Sequence, residues 1–151
     1  MELHKLEFWT SHHQFYLADK SSPFRTDSDD FWTTEASNDK LAIEEGILGI
    51  GTECYGPVKG DFVVLKVEPE ENDFGSYDHV VEGSIELKSG VLQVFPCAVN
   101  EPVLELSVAP RTYRVRIYSS NLTTVEGDAG DDYYRVRMWP GEAGKRKVLK
   151  R

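Results

Sequence analysis

Hydrophobic and polar residues alternate with a period of two along most of this chain. The clearest runs cover residues 104–108, 113–118 and 134–139, and further runs begin at Leu6, Phe15, Val63 and Ile85. This alternation is typical of β-strands that bury one face and expose the other. In the run that begins at Val63, it places Val63, Leu65 and Val67 on the buried face. The pattern predicts about eight to ten short strands.

Turn-forming residues separate the alternating runs at short intervals. They are Gly56 with Pro57, Gly60 with Asp61, Ser89 with Gly90, Ala109 with Pro110, and Pro140 with Gly141. Residues 33–45 are the one plausible helical stretch, where Thr34, Ser37 or Asn38 could cap a short helix before Gly46. Its apolar residues are too few for a long amphipathic helix.

Many short strands with at most one short helix predict an all-β fold. An antiparallel β-sandwich, jelly-roll-like, and a closed barrel both fit the periodicity, and we prefer the sandwich. A chain of 151 residues fits one domain, so we predict a single domain over residues 1–151. Its basic C-terminal segment, residues 145–151, is either a mobile tail or a last edge strand, and Val148 and Leu149 favour docking.

Charge is divided unevenly along the sequence. Residues 1–110 hold 21 Asp and Glu against 7 Lys and Arg, whereas residues 111–151 hold 5 against 10. Because an acidic excess repels polyanions, we expect a basic protein as the partner rather than a nucleic acid or an anionic membrane. No apolar run approaches the roughly 20 residues of a membrane span. The N-terminal sequence MELHKLEFW does not resemble a signal peptide, so we expect a cytoplasmic protein.

Two acidic loops are the candidate partner-binding surface. Their carboxylates are Glu68, Glu70, Glu71 and Asp73 in one loop, and Asp27, Asp29 and Asp30 in the other. Solvated turns are the alternative interpretation of both. Complementary charge across an interface speeds association and selects partners, which is why these loops fit a cationic protein.

Four arginines form the nearest approach to an internal repeat. Residues 113–118 read YRVRIY and residues 134–139 read YRVRMW, which places Arg114, Arg116, Arg135 and Arg137 opposite the buried face of two strands. Like charges set side by side need compensation. Salt bridges to the acidic first part of the chain are the favoured interpretation. An anion-binding face or a contact in a homo-oligomer is the alternative.

No catalytic or metal-binding constellation stands out. Cys54 and Cys97 lack CxxC spacing, and a hydrolase elbow of the GxSxG type is missing around Ser11. His12 and His13 are adjacent, so in an extended chain they would point to opposite faces and chelate one metal poorly. We therefore predict a non-enzymatic protein with no cofactor. A ligand- or metal-binding β-domain that uses these histidines and the acidic loops is the alternative.

Three segments in the first third of the chain carry a family resemblance. They read SHHQF at residues 11–15, WTTEA at 32–36 and GILGI at 46–50, and a fainter likeness continues through Ser76 and Tyr77 to residues 113–118. As a set, these segments resemble the competence protein ComJ family, which includes the inhibitor of a DNA-entry nuclease. The resemblance covers about residues 11–118.

The resemblance implies a small bacterial protein without enzymatic activity that binds and inhibits a nuclease. An acidic inhibitor suits that role, because a nuclease groove that binds phosphates is cationic. The family has no motif that assigns inhibitory residues to this chain. After residue 118 the chain departs from the family pattern, with the additional strand at residues 131–139 and the basic end.

Overall fold

A computed structural model describes residues 2–23, 30–71 and 73–151 of the chain. The described residues form eleven strands, one α-helix and one 3₁₀ turn. The strands are β1 (His4–Trp9), β2 (Gln14–Asp19), β3 (Leu41–Glu44), β4 (Ile47–Gly51), β5 (Pro57–Val64), β6 (His79–Leu87), β7 (Val91–Pro96), β8 (Leu104–Ser107), β9 (Arg111–Ser120), β10 (Tyr133–Pro140) and β11 (Lys147–Lys150). The helix α1 is Thr34–Asp39, and the 3₁₀ turn is Leu122–Thr124.

The strands form two sheets. One has six strands in the order β1-β5-β10-β9-β6-β11, and the other has five in the order β3-β4-β2-β7-β8. Neighbouring strands are antiparallel except β5 and β10, which run parallel. The predicted all-β fold is therefore confirmed in its main feature, two largely antiparallel sheets with one helix. The jelly-roll connectivity stays a prediction.

The two sheets share one hydrophobic core. Its buried side chains include Leu17 and Leu48 from the five-stranded sheet and Val115 and Val136 from the six-stranded sheet. Phe8 and Phe15 meet edge to face across the sheets, with 5.5 Å between ring centroids. Burial of apolar surface at about 25 cal/mol per Å² makes this layer the main stabilising feature of the fold.

Strand β5 corrects the prediction of a turn at Gly60 and Asp61, because both residues lie inside the strand. A Cβ atom at position 60 would overlap the carbonyl oxygen of Tyr134, so glycine is required where β10 runs closely alongside. The alternation from Val63 is also wrong, since the strand ends at Val64 and its inward residue at this end is Phe62.

The predicted helical stretch divides into a helix and a strand. Thr33 caps α1 by accepting a hydrogen bond from the Ala36 amide at 3.1 Å, so the predicted caps Thr34, Ser37 and Asn38 are wrong. The helix ends at Asp39, and the C-cap residue Lys40 has a left-handed backbone with φ 60°. Residues from Leu41 onward form β3, because Leu41 and Ala42 are fully buried and pair with β4.

The basic C-terminal segment is an edge strand, one of its two predicted forms. Strand β11 pairs with β6, and Arg146 and Arg151 both contact the carboxylate of Asp39, at 2.7 and 2.6 Å. These contacts hold the basic segment against the C-terminus of α1.

Among the described residues, the structure contains no helix with the length and apolar character of a membrane span.

Candidate protein-binding surface

The predicted arginine face lies on the outer side of the six-stranded sheet. Strands β9 and β10 pair so that Arg137 lies directly opposite Arg116, and Arg135 lies opposite Tyr118. Arg114 lies two residues before Arg116 in β9, so its side chain is on the same face of the sheet. The pairing of these two strands therefore places all four guanidinium-bearing residues on one side of one sheet.

Two carboxylates from the acidic first part of the chain form ion pairs with three of these arginines. Glu82 accepts hydrogen bonds from Arg114 at 2.8 Å and from Arg116 at 2.9 Å, and Asp61 lies 2.5 Å from Arg137. Arg116 and Arg137 are only 6% and 7% exposed. The favoured interpretation of internal salt bridges thus matches the geometry, but two of these bridges are buried rather than on the surface.

Tyrosine hydroxyls add further polar contacts on this face. Arg135 donates to the hydroxyl of Tyr77 at 2.6 Å, and the Tyr133 hydroxyl donates to Asp61 at 2.6 Å. Burial, together with the hydrogen bond to the Asp61 carboxylate, raises the pKa of Tyr133 to about 12. The tyrosine therefore remains a neutral donor to Asp61 at physiological pH.

Residues 65–71 and 73–78, here called the strap, connect β5 to β6 and border the arginine face. The rings of Phe74 and Tyr77 lie 6.2 and 4.9 Å from the ring of Tyr118, and the guanidinium of Arg116 lies 5.9 Å from the Phe74 ring. Lys150 donates to the carbonyls of Phe74 and Tyr77 at 3.1 and 2.5 Å. The second half of the strap is therefore fastened to the sheet at several points.

The strap carries the first of the two predicted acidic loops. Glu68, Glu70 and Asp73 are exposed, and none of them forms an ion pair with another described residue. Glu71 is half-buried, and with Glu68 and Glu70 it lines a hollow of about 630 Å³. Arg116 and Lys147 line the same hollow. Glu68, Glu70 and Asp73 therefore face solvent, whereas Glu71 borders basic side chains of the sheet.

The second predicted acidic loop is described only in part. Asp27 and Asp29 lie outside the described residues, whereas Asp30 is described and exposed. Its neighbour Phe31 is buried in a cluster on the outer face of the five-stranded sheet. Asp30 thus adjoins that sheet, and the strap borders the other one.

A cleft of about 310 Å³, here called the motif cleft, lies at the turn between β1 and β2. His12, His13 and Gln14 line one side, and Trp32, Lys40 and Thr52 line the other. The segments SHHQF and WTTEA, which carry the family resemblance, both contribute side chains to it. The sequence analysis did not identify this site, although the joint occurrence of the two segments was the signal that could have found it.

Gln14 and Gly49 position the tryptophan of the cleft. The side-chain oxygen of Gln14 accepts hydrogen bonds from the indole of Trp32 at 2.7 Å and from the hydroxyl of Tyr16. A Cβ atom at Gly49 would lie 2.8 Å from the Trp32 ring and 2.9 Å from the Phe31 ring. The third segment, GILGI, therefore contributes to the cleft because Gly49 leaves room for the Trp32 ring.

The two histidines are not in an extended segment, so the prediction that they point to opposite faces is wrong. Both have positive φ, 57° and 60°, in a two-residue turn between Ser11 and Gln14. Both rings contact the same ring, that of Tyr55, at 5.5 and 5.3 Å. Across the described ranges, no group of three or more His, Cys, Asp or Glu side chains is arranged to hold a metal ion.

A buried polar cluster lies behind the cleft. Asp132 accepts hydrogen bonds from the Cys54 amide at 3.1 Å and from the Tyr134 hydroxyl at 2.6 Å. Burial and the neighbouring carboxylate raise the pKa of the Cys54 thiol to about 12 and also raise the pKa of Tyr134. Cys54 is therefore a protonated thiol and a poor nucleophile at neutral pH. Cys54 and Cys97 are both free thiols.

Solved structures share this arrangement of strands. The structure of ComJ, inhibitor of the DNA degrading activity of NucA, from Bacillus subtilis, superposes with a TM-score of 0.65 and 17% identity, over 89% of this chain and 93% of that one. A second solved structure, Crocagin biosynthetic gene J, superposes with a TM-score of 0.58 and 19% identity, over 93% of this chain and 98% of that one. No protein-family model and no curated protein sequence matches the chain. At these identities the likeness concerns the fold, and the chain resembles ComJ in fold over most of its length.

Proposed function

We propose that this protein is a non-enzymatic inhibitor that binds a basic enzyme of the nuclease kind. Its strap provides the contact surface, with Glu68, Glu70 and Asp73 directed at the partner. The observation that carries the proposal is that these carboxylates are exposed and form no ion pair within the described structure. The fold shared with ComJ, whose solved structure is described as that of a nuclease inhibitor, supports the same function.

The support beneath the strap suits it to binding. The rings of Phe74 and Tyr77 and the bonds from Lys150 hold its second half against the sheet. A loop fixed before binding loses less conformational entropy when the complex forms. Negative charge on such a loop also steers a cationic groove toward it and accelerates association.

The test combines the purified protein with a basic bacterial DNA-degrading nuclease, encoded beside it where the genome provides one. We expect a one-to-one complex on size exclusion and loss of DNA cleavage at saturating inhibitor. The triple variant E68Q/E70Q/D73N, which removes three charges from the strap, should weaken the complex at least tenfold by calorimetry.

The matched control removes the same charge elsewhere. Glu35, Glu101 and Glu126 are exposed carboxylates outside the strap, so E35Q/E101Q/E126Q changes the net charge equally. It should weaken binding less than threefold. Full cleavage with no complex for the unmodified protein would overturn the inhibitor proposal, whereas equal loss in both triple variants would remove the strap as the contact surface.

A further inference from the structure

Backbone strain is concentrated at the motif cleft. Five residues other than glycine have positive φ in the described part of the chain, and three of them, His12, His13 and Lys40, line this cleft. The left-handed conformation costs an L-residue free energy, and only glycine, asparagine and aspartate adopt it routinely. Residues held in such conformations cluster at ligand-binding and active sites.

The side chains at these three positions are not those that the backbone favours. A two-residue turn with both φ values positive favours Asn-Gly, and the position after a helix favours glycine. This chain instead has two histidines in the turn and a lysine after α1. The strained positions therefore carry the three basic groups of the cleft.

The chemistry of the lining is distinct from that of the whole molecule. Asp and Glu account for 26 of the 151 residues, yet neither type occurs among the lining residues. Glu53 stands at the border, where its carboxylate lies 3.2 Å from the Lys40 ammonium. The chain thus places a carboxylate-free, nitrogen-rich cleft on a protein of net charge −9.

Several polar groups of the cleft are already engaged within the fold. The Gln14 oxygen accepts from Trp32 and Tyr16, and the Thr52 hydroxyl donates to the Cys54 carbonyl at 2.8 Å. One nitrogen of each histidine is also engaged, with Ser11 or with the Glu53 carbonyl, which leaves Nε2 of each ring. When the rings carry a second proton, these Nε2 atoms and the Lys40 ammonium can donate to a ligand that accepts hydrogen bonds.

We propose that the motif cleft binds a small organic anion, a carboxylate or a phosphate ester with a planar apolar body. The anionic group contacts Lys40 and the Nε2 atoms of His12 and His13, and the planar body packs against the indole of Trp32. The site is separate from the strap, so this proposal does not depend on inhibition of a nuclease.

Hydrogen bonding of an anion to His13 Nε2 requires a proton on that nitrogen. Nδ1 of His13 faces the Glu53 carbonyl, which can only accept, so Nε2 donates to a ligand only when the ring is protonated. The charged and titratable groups around the two rings are Lys40, Glu53 and Tyr55. An anion that accepts a hydrogen bond from His13 Nε2 therefore favours the protonated ring.

The experiment is an NMR titration of the ¹⁵N-labelled protein at pH 6.5 with benzoate and with benzamide, a neutral molecule of the same shape. Benzoate should shift the indole N–H resonance of Trp32 and the amide resonances of Gly51 and Thr52 along a saturating curve, and benzamide should shift them less than a fifth as far. Comparison of benzoate with phenyl phosphate then identifies the preferred anion, and tighter binding of either supports the site.

Three variants separate binding from folding. H12N/H13G gives the turn the residues its backbone favours, K40A removes the ammonium group, and K145A removes an exposed lysine at the other end of the chain. Loss of a hydrogen bond to a charged group weakens binding by roughly tenfold or more, so the first two should weaken benzoate binding by about that factor and K145A should not.

Three outcomes would overturn the proposal. They are equal shifts with benzoate and benzamide, benzoate shifts confined to the arginine face, and undiminished benzoate binding by H12N/H13G and K40A. Because H12N/H13G favours the turn, its spectrum should remain that of a folded protein, and a loss of binding then reports on the imidazole groups.

Discussion

The turn at His12 and His13 shows how single residues here depart from the conformations they favour. Replacement by Asn-Gly should raise the free energy of unfolding by about 1 kcal/mol, because the left-handed conformation costs about 1–2 kcal/mol per ordinary L-residue while the replaced rings lose their contact with Tyr55. Urea unfolding of H12N/H13G against the unmodified protein measures the difference. A lower free energy for the variant would show that the ring contacts outweigh the strain.

His79 is a buried histidine with a single described hydrogen bond, from Nε2 to the Asp39 carbonyl at 2.8 Å. Burial lowers its pKa, and the bond to the Asp39 carbonyl opposes that shift only in part. A lowered pKa in the folded state means that the unfolded chain takes up the proton first. Stability from His79 is therefore fully present above the ordinary histidine value of 6.5 and is lost as the pH falls below it.

The prediction for His79 is a flatter pH dependence in H79Q, whose side-chain amide can still donate to the Asp39 carbonyl. Between pH 7 and 5, the free energy of unfolding should fall less steeply for H79Q than for the unmodified protein. Chemical unfolding at a series of pH values provides the comparison. Parallel curves would show that His79 does not contribute to the acid sensitivity.

Strands β6 and β9 are joined on their outer faces by ion pairs as well as by backbone hydrogen bonds. Glu82 of β6 is 5% exposed and accepts from both Arg114 and Arg116 of β9. Removal of one member of a buried ion pair costs about 3–5 kcal/mol, because the remaining charges lose their partner. E82Q should therefore lower the free energy of unfolding by an amount in that range.

Glu86 gives the control within the same strand. It lies four residues further along β6 on the same face, but it is exposed. E86Q should change the free energy of unfolding by less than about 0.5 kcal/mol, as exposed substitutions usually do. If E82Q and E86Q had equal effects in urea unfolding, the pairing of Glu82 with the arginines would not stabilise the sheet.

The whole molecule combines an outward-facing acidic excess with an arginine face that is satisfied internally. Half of the ten basic residues after position 110 form ion pairs within the fold, with Glu82, Asp61 and Asp39. Under the proposed function, the exposed carboxylates of the strap contact the partner. Such surface charges act over a distance set by the Debye length.

Association with a basic nuclease should therefore depend on salt. Between 0.1 and 1 M NaCl the Debye length falls from about 10 to 3 Å, and the association rate constant should fall at least tenfold while dissociation changes less. Stopped-flow fluorescence gives both rate constants. An association rate that is constant over this range would show that the acidic surface does not steer the encounter.

Period-two alternation was sufficient to predict the strands whose two faces differ, such as β6, β9 and β10, and it placed the four arginines on one face. It did not resolve β7 or separate β3 from the helix, because short apolar runs that are buried on most sides carry no periodicity. The turn signal at Gly60 and Asp61 was also misleading, because this glycine permits a close approach of β10 rather than a turn.

The amino-acid order was enough to establish a β-rich fold, the division of charge and the resemblance to the ComJ family, since each depends on local pattern or composition. The partners of the arginines, the burial of Arg116, and the meeting of His12, Trp32 and Lys40 in one cleft follow from packing. These contacts join residues that are far apart along the chain. Whether such residues meet in space depends on how the two sheets pack onto their shared core.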